Sequence, residues 1–374
     1  MLIGIEATRA NRIHKTGVEW YAYHVIQGMK ALSESSDHSW LLYTNDPLMQ
    51  GLERGPANWH EARLVWQPKY LWTQMRLSWE LMRHAPDILF VPAHVLPRRI
   101  PSLSVVTIHD VGFHRRPELY KKRQVWYHEW STKDIVRRAA RILTVSEFSK
   151  QEIIECYRAD PAKIFVTPLG IDHGRYVRKD EDQITAVLSR FHLPTPFFLF
   201  VGRLERKKNL GVLIEAFLRF RQARGVGDPH HLVLAGMPGE GYDAFVRTIS
   251  GSPHRDFVHI VGYLNEEEKI ALLTATTALV HPSWYEGFGV TPIEALACGS
   301  PTICSRVASL PEVVGEENAF WFDPADPESL EMRLHQCVDH PEEAKEMAER
   351  GRAWSEHYDW KKTAEATFNF LTTW

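Results

Sequence analysis

The segment Glu286-Gly287-Phe288-Gly289-Val290-Thr291-Pro292-Ile293-Glu294-Ala295-Leu296-Ala297-Cys298-Gly299 combines a strand end, a glycine loop and the start of a helix. Its glycines allow backbone N–H groups to approach a ligand closely. Thr291-Pro292 opens a helix whose N-terminus favours negative charge, such as that of a diphosphate. The segment therefore predicts a phosphate-binding site at the end of a buried strand.

Two carboxylates, Glu286 before the loop and Glu294 inside the helix, can lie on either side of that phosphate. Carboxylates accept hydrogen bonds from hydroxyl groups, so the pair is suited to a nucleotide sugar. The alternative is structural: Glu286 is a loop residue, and Glu294 interacts with the helix dipole. The neighbouring glycines and proline favour the ligand-binding interpretation.

A second cluster, Gly202-Arg203-Leu204-Glu205-Arg206-Lys207-Lys208-Asn209, follows the apolar run at residues 197–201. It is predicted at the C-terminal end of a strand, where open α/β sheets bind their ligands. Arg203 offers a planar fork for phosphate oxygens and Lys208 a compact charge, which together would stabilise a departing diphosphate. Considered alone, such a charge run is more typical of solvated surface.

Short apolar runs alternate with longer amphipathic stretches along the chain, a pattern typical of βαβ units and parallel sheets. We predict strands at 2–6, 39–44, 63–66, 87–91, 103–108, 141–145, 163–167, 197–202, 231–236, 257–261, 277–281, 301–304 and 319–322. The polar segment 175–183 and the prolines after it are typical of a linker.

At 374 residues the chain exceeds the usual size of one hydrophobic core, so two domains are expected. We place the first at 1–172 and the second at 173–356, with a C-terminal helix at 357–374 that packs on the first. A formal net charge of −3 argues against a nucleic-acid partner.

The chain shows no signal peptide and no apolar run long enough to span a membrane, and its four cysteines are scattered. These features predict a cytoplasmic protein with reduced thiols. Basic and aromatic residues mix between His114 and Trp130, which is typical of a solvated helix face or, alternatively, of peripheral contact with the inner face of a membrane. Trp72, Trp79, Trp126 and Trp130 could bind sugar rings or a lipid carrier, but core packing is expected for most of them.

The first two clusters together resemble glycosyltransferase family 4, which pairs a Gly-Arg-(spacer)-Lys-Asn loop with a Glu-(seven residues)-Glu motif in this order. Further matching stretches are Thr107-Ile108-His109-Asp110, Thr144-Val145-Ser146-Glu147-Phe148-Ser149, Pro168-Leu169-Gly170-Ile171-Asp172 and Ser309-Leu310-Pro311-Glu312-Val313. The resemblance covers most of residues 1–330, and the first and third of these stretches look like the bacterial mannosyltransferase branch.

The resemblance implies an α/β protein of the GT-B fold, with two Rossmann-like doubly wound domains facing across a cleft. It implies transfer of a hexose, with retention of configuration, from a nucleoside-diphosphate sugar to an acceptor hydroxyl of a glycan or lipid-linked sugar. GDP-mannose is the first choice of donor and UDP-sugars the second. No cofactor, metal ion or covalent nucleophile is implied, because Arg203 and Lys208 take the role of the metal.

By the same resemblance, Glu286 and the neighbouring amides hold the hexose, Glu294 binds the ribose, and Tyr263 and Leu264 lie near the base. His109, at the end of a first-domain strand, could hydrogen-bond a sugar hydroxyl, although out of context it would be an ordinary histidine. The predicted catalytic residues are His109, Arg203, Lys208 and Glu286. The predicted donor-binding residues are Gly17, Gly202, Tyr263, Leu264, Gly287, Phe288, Gly289, Val290, Thr291 and Glu294.

Gly17 matches a glycine loop of the first domain, but this loop has one glycine where many family members have two. Other enzyme classes lack their motifs in this sequence: there is no dinucleotide-binding G-x-G-x-x-G pattern with its acidic residue, no G-x-x-x-x-G-K-[ST] and no H-E-x-x-H. A phosphorylase of the same fold and a catalytically silent nucleotide-sugar-binding scaffold are the remaining alternatives.

Overall fold

The computed structural model describes residues 1–67 and 70–374. It divides into two compact units, Met1–Gly170 with Tyr358–Trp374, and Ile171–His357. Each unit is built on one parallel sheet whose strands are joined through helices, which confirms the predicted α/β class. The observed boundaries lie within two residues of the ones expected from the sequence.

In the first unit the strands lie in the order β3-β2-β1-β4-β5-β6-β7, and every neighbouring pair is parallel. The strand order reverses at β1, so right-handed crossovers place helices on both faces of the sheet. The strands are β1 Leu2–Glu6, β2 Ser39–Thr44, β3 Trp59–Arg63, β4 Ile88–Val91, β5 Leu103–Ile108, β6 Arg141–Thr144 and β7 Ile164–Val166.

The second unit repeats this plan with the order β10-β9-β8-β11-β12-β13, again all parallel. Here the order reverses between β8 and β11, which pair directly at Phe198↔Ala278 and Leu199↔Leu279. The loops after β8 and β11 therefore leave the sheet side by side, at the point where such sheets bind ligands. The strands are β8 Phe197–Val201, β9 His231–Ala235, β10 Val258–Gly262, β11 Ala278–His281, β12 Thr302–Ser305 and β13 Phe320–Phe322.

Helices connect the strands in both units and continue after the last one. The helices are α1 Gly17–Leu32, α2 Ser78–Arg83, α3 Gly112–Arg115, α4 Lys122–Arg138, α5 Glu147–Tyr157, α6 Glu181–Phe191, α7 Leu210–Arg224, α8 Tyr242–Ser250, α9 Glu266–Ala275, α10 Val290–Ala297, α11 Leu310–Val314, α12 Pro327–Asp339, α13 Pro341–Ser355 and α14 Trp360–Thr372. None of the helices in the described ranges is both long and apolar enough to cross a membrane.

The last helix, α14, packs on α1 and so belongs to the first unit. A Cβ atom at Gly28 of α1 would lie 2.3 Å from the Cβ of Ala364, so only glycine allows the two helices this close. At the start of α14, Trp360 stacks on His24 with ring centroids 4.7 Å apart. The chain thus returns to its first unit after completing the second.

The predicted strand at 63–66 is wrong, because β3 lies at Trp59–Arg63. The apolar run after Arg63 favoured the later position, yet β3 is an edge strand with mostly exposed side chains, so it needs no such run. It is instead fixed by Trp59, whose indole stacks on Trp40 at 5.0 Å between ring centroids and donates to Ser33 Oγ at 2.6 Å.

The linker interpretation of 175–183 is also corrected, because this segment is folded onto the second unit. Tyr176 is only 7% exposed, and Asp180 caps α6 by accepting a hydrogen bond from the backbone of Gln183 at 2.8 Å. Two residues of this polar segment, Arg175 and Lys179, form ion pairs with Glu267 of α9.

Core packing was expected for most of four tryptophans in the first unit, and this is wrong for three of them. Trp72 is buried, and its indole N–H donates to Leu64 O at 2.7 Å. Trp79, Trp126 and Trp130 are 43%, 70% and 43% exposed. Trp126 and Trp130 lie on α4, whose sequence is too polar to be buried on all sides.

Candidate functional site

The loops that follow β8 and β11 meet through an ion pair between Lys208 and Glu286. Lys208 Nζ lies 2.6 Å from Glu286 Oε1, and both side chains are largely buried. Lys208 is held in place by the next residue, Asn209, which adopts a left-handed backbone conformation with φ of 54°. The Asn209 side chain is buried and donates to Pro324 O at 2.9 Å. The structure thus brings together two of the predicted catalytic residues.

His281, the last residue of β11, provides the second contact to Glu286. Its Nε2 lies 3.0 Å from Glu286 Oε1, so the carboxylate oxygen is shared by an ammonium and an imidazole. Across the loop, Ser309 Oγ lies 2.9 Å from Glu286 O and 3.1 Å from Phe288 O. These contacts hold both the side chain and the backbone of Glu286.

The charge state of this cluster follows from its surroundings. Burial alone would raise the pKa of Glu286, but the Lys208 charge and the His281 hydrogen bond outweigh it and hold that pKa well below its usual range. Burial lowers the pKa of His281 although Glu286 opposes the change. A neutral His281 therefore donates through Nε2 to an ionised Glu286. Among the described residues, none bonds Glu286 Oε2, which leaves this oxygen for a ligand.

The glycine loop between Glu286 and α10 takes a conformation that demands glycine. Gly289 has φ of 91°, and a Cβ atom there would lie 2.5 Å from Leu310 Cδ2. Helix α10 begins at the next residue, so the N–H groups of Gly289, Val290 and Thr291 have no acceptor inside the helix. These three amides form a ready position for an anion at the start of α10.

Glu294, four residues into α10, lies in a second buried cluster with Tyr176, Glu266 and Lys269. Lys269 Nζ lies 2.9 Å and the Tyr176 hydroxyl 2.7 Å from Glu294 Oε1. The same hydroxyl lies 2.5 Å from Glu266 Oε2, and Lys269 Nζ lies 3.2 Å from Glu266 Oε1. We call these four residues the Glu294 cluster.

Opposing effects set the charges in the Glu294 cluster. Burial would lower the pKa of Lys269, but Glu294 and Glu266 outweigh it and raise the pKa, so the ammonium is retained. Burial first, and then the two carboxylates, raise the pKa of Tyr176 far above its ordinary value, so the phenol remains protonated. The cluster thus holds one phenol proton and one ammonium between two carboxylates.

Tyr263 and Leu264 follow β10 at a turn where Gly262 has φ of 73°. Tyr263 is 56% exposed and Leu264 is 8% exposed. Asn265 then caps α9 by accepting from the backbone of Glu268 at 2.9 Å. Because α9 carries Glu266 and Lys269, the predicted base-binding turn leads directly into the Glu294 cluster.

Arg203 is less closely integrated than the other predicted catalytic residues. Its side chain is 66% exposed, and its ion pair is with Glu205 at 3.8 Å rather than with Glu286. Gly202 continues the ladder beyond β8, its backbone donating to Ala235 O at 2.9 Å. Arg203 therefore lies at the start of the same loop as Lys208, outside the buried ion pair.

In the first unit, His109 follows β5 and is 7% exposed. Its Nε2 lies 3.0 Å from Pro92 O, and a carbonyl can only accept, so Nε2 carries the proton and Nδ1 is an acceptor. Burial lowers the pKa of His109, which keeps the ring neutral. The ring also packs edge-on against Tyr21, with centroids 4.8 Å apart. His109 thus presents a neutral hydrogen-bond acceptor.

Gly17 is the first residue of α1, and Thr16 caps this helix in a reciprocal capping box with Glu19. A Cβ atom at Gly17 would meet no atom within 4 Å. Space therefore does not require glycine at this position, in contrast to Gly289.

The sequence interpretation missed His281, Ser309, Tyr176, Glu266 and Lys269. A signal was present for two of them: His281 ends the strand that leads to Glu286, and Ser309 opens one of the matching stretches. Tyr176 was hidden in the supposed linker, while Lys269 lay in an ordinary charged helix. Throughout residues 1–67 and 70–374, no group of three or more His, Cys, Asp or Glu side chains is placed to hold a metal ion.

Comparison with known families gives matches in both units. The profile of Glycosyltransferase Family 4 matches residues 16–175, and that of Glycosyl transferases group 1 matches residues 189–354. The two matched ranges divide the chain close to the boundary between the units.

Among characterised relatives, O-antigen chain mannosyltransferase B of Escherichia coli is 30% identical over 295 residues, covering 79% of this chain and 76% of that protein. The MMP alpha-(1->4)-mannosyltransferase of Mycolicibacterium hassiacum is 29% identical over 238 residues, covering 63% of this chain. That alignment spans 54%, about half, of the relative's own length.

Solved structures share the fold at low sequence identity. Sucrose-phosphate synthase from Thermosynechococcus elongatus superposes with a TM-score of 0.78 at 17% identity, covering 99% of this chain and 98% of the other. HepE of Anabaena in complex with UDP-glucose gives a TM-score of 0.75 at 16% identity, covering 100% and 99%. Both matches cover residues of both units.

Proposed function

The chain belongs to glycosyltransferase family 4 and is a glycosyltransferase of the GT-B fold, and from this premise we propose that it transfers a hexose from a nucleoside-diphosphate sugar to an acceptor hydroxyl with retention of configuration. The observation that carries the proposal is the buried Lys208–Glu286 pair beside the glycine loop and the start of α10. It provides a cation, free amides and a carboxylate oxygen in one place.

Each of these groups suits one part of such a donor. The amides of Gly289, Val290 and Thr291 and the charge of Lys208 favour the diphosphate, whose negative charge increases as the sugar leaves. Glu286, fixed through Oε1, offers Oε2 to hydroxyl groups of the hexose. Arg203, exposed at the start of the loop, can turn towards the phosphate.

In the proposed reaction, the bond between the anomeric carbon and the diphosphate oxygen breaks, and its electron pair stays on that oxygen. The acceptor oxygen bonds to the anomeric carbon from the same face, and its proton moves to a phosphate oxygen of the donor. Lys208 stabilises the leaving diphosphate, and His109 accepts a hydrogen bond from a sugar hydroxyl through Nδ1. No covalent nucleophile and no metal ion take part in this scheme.

The proposed donor is GDP-mannose, with a UDP-sugar as second choice, and the proposed acceptor is a glycan or lipid-linked sugar of a polysaccharide pathway. Similarity to O-antigen chain mannosyltransferase B supports mannose and the pathway, while the UDP-glucose complex of HepE supports a nucleotide-sugar donor. We place the enzyme in the cytoplasm, in peripheral contact with the inner face of a membrane. The exposed Trp126 and Trp130 and the basic residues at 121–123 support this contact.

Calorimetric titration with GDP, UDP, ADP and NAD, with and without EDTA, tests the proposal. We expect one nucleoside diphosphate to bind and to bind equally in EDTA. Binding of NAD alone, or loss of binding in EDTA, would contradict it. The nucleotide that binds then identifies the sugar donor to be used in turnover assays, where a requirement for inorganic phosphate instead of an acceptor hydroxyl would indicate a phosphorylase.

A further inference from the structure

In the Glu294 cluster, only one of the two carboxylate oxygens of Glu294 accepts hydrogen bonds from the other members. Both donors, the Tyr176 hydroxyl and Lys269 Nζ, reach Oε1 of Glu294, at 2.7 Å and 2.9 Å. Within the part of the chain that the structure describes, Oε2 receives no hydrogen bond. Glu294 is 8% exposed, and both of its hydrogen bonds hold the carboxylate through Oε1.

The hydroxyl of Tyr176 stands between two carboxylates but has a single proton to donate. It lies 2.5 Å from Glu266 Oε2 and 2.7 Å from Glu294 Oε1, so it can serve only one of them at a time. Lys269, with three protons, contacts both carboxylates. Tyr176 and Lys269 therefore both connect Glu294 to Glu266.

The segment around Tyr176 is also held by contacts other than those of this hydroxyl. The neighbours Arg175 and Lys179 reach Glu267 at 3.3 Å and 2.7 Å, and the ring of Tyr176 is buried. Burying a phenol between two carboxylates costs free energy that an apolar ring would avoid. The polar contacts are therefore better explained by an effect on Glu294 than by an effect on folding.

We propose that Tyr176 and Lys269 are positioning residues that aim Glu294 Oε2 at the ribose hydroxyls of the donor nucleotide. This inference rests on the proposed function, in which Glu294 binds the ribose. A pre-oriented carboxylate makes a stronger hydrogen bond than a mobile one because less orientational freedom is lost on binding.

The test is the preference for ribose over deoxyribose, measured by calorimetry in the wild type and in Tyr176→Phe. The probes are GDP and UDP, each with its 2′-deoxy counterpart. For the nucleotide that binds, we expect the wild type to prefer the ribose form by about tenfold or more, because about tenfold is the lower end of what a hydrogen bond to a charged group contributes. Tyr176→Phe should reduce this preference to about threefold or less, with the deoxy form bound as before.

The matched control is Tyr242→Phe, the same change at a ring that packs at the edge of the second unit's core. Thermal unfolding checks that both variants fold. An unchanged ribose preference in Tyr176→Phe would overturn the inference. Absence of any ribose preference in the wild type would overturn it too, and this measurement does not depend on a variant that folds. Failure of the wild type to bind either nucleoside diphosphate would instead overturn the proposed function.

Discussion

Both units place candidate site residues beyond the carboxyl ends of parallel strands, as ion pairs in the second unit and as neutral histidines in the first. In the second unit, Glu286 and Glu294 each form an ion pair with a lysine side chain that is no more than 20% exposed. In the first unit, His109 and His94 are neutral rings whose Nε2 atoms contact backbone carbonyls at 3.0 Å and 3.1 Å. Burial lowers the pKa of both histidines, that of His94 to about 4.

In the proposed function, this difference suits the two units to two kinds of ligand group. Charges fixed in a poorly solvated environment interact strongly with a charged ligand, so the second unit is suited to an anion such as a diphosphate. A neutral histidine with a free acceptor nitrogen is suited to an uncharged hydroxyl. Variants that remove a charge in the second unit should therefore reduce activity more than variants that remove a hydrogen-bonding nitrogen in the first.

The largest effect is expected from breaking the ion pair of the second unit. We predict that Lys208→Met and Glu286→Gln each reduce turnover by about 100-fold or more, because each loses a group that contacts the donor in the proposed reaction. The measurement is release of the nucleoside diphosphate from the nucleotide sugar that the wild type consumes. The exposed Lys345→Met and Glu349→Gln provide matched controls and should keep wild-type rates.

The stability of these variants separates charge pairing from catalysis. Lys208→Met leaves a buried carboxylate without its cation and should destabilise the fold by about 3 kcal/mol, measured by chemical denaturation. In the double variant Lys208→Met/Glu286→Gln the loss should be smaller, although turnover stays low. If the double variant is as unstable as Lys208→Met alone, the unpaired charge of Glu286 is not the cause of the destabilisation.

A smaller effect is expected from His109, where the two ring nitrogens can be tested separately. His109→Gln can keep the donor towards Pro92 O but loses the acceptor at Nδ1, and we predict about tenfold slower turnover. His109→Asn keeps an acceptor near the Nδ1 position and should retain more activity. If His109→Gln is instead more active than His109→Asn, turnover depends on the contact with Pro92 O and not on the acceptor at Nδ1.

The smallest effect is a pH dependence of stability that arises from His94 in the first unit. Its pKa is about 4, below the ordinary 6.5, so between these values the unfolded chain binds a proton that the native chain does not. The contribution of His94 to the free energy of unfolding is therefore complete above pH 6.5 and decreases as the pH falls towards 4. Because the ring is partly exposed, we predict a loss of only about 1 kcal/mol between pH 7 and 5.

This pH effect is measured by urea denaturation of the wild type and of His94→Gln at both pH values. The glutamine does not titrate, so the variant should lose less stability on acidification than the wild type. Equal losses in the two proteins would show that other groups, such as the buried His281 of the second unit, carry the acid sensitivity.

Most of the fold could be predicted because buried strands have a local signature. The run Phe197-Phe198-Leu199-Phe200-Val201 is apolar because both faces of β8 are covered, and such runs are visible in the sequence. The edge strand β3 lacks this signature, and its position depends on Trp59 stacking on Trp40 of the neighbouring strand. The buried Tyr176 was missed for a similar reason, because the polar residues around it concealed its partners.

For the candidate site, the sequence by itself determined the residues with a local role: the glycine loop at 287–289, the helix start that follows it, and the carboxylates Glu286 and Glu294. Their spacing along one strand–loop–helix unit is enough to predict an anion site, since backbone geometry over a few residues follows from residue type. Only the tertiary structure decided their partners. Lys208 reaches Glu286 across 78 residues of sequence and Tyr176 reaches Glu294 across 118, because strand order and burial bring distant segments together.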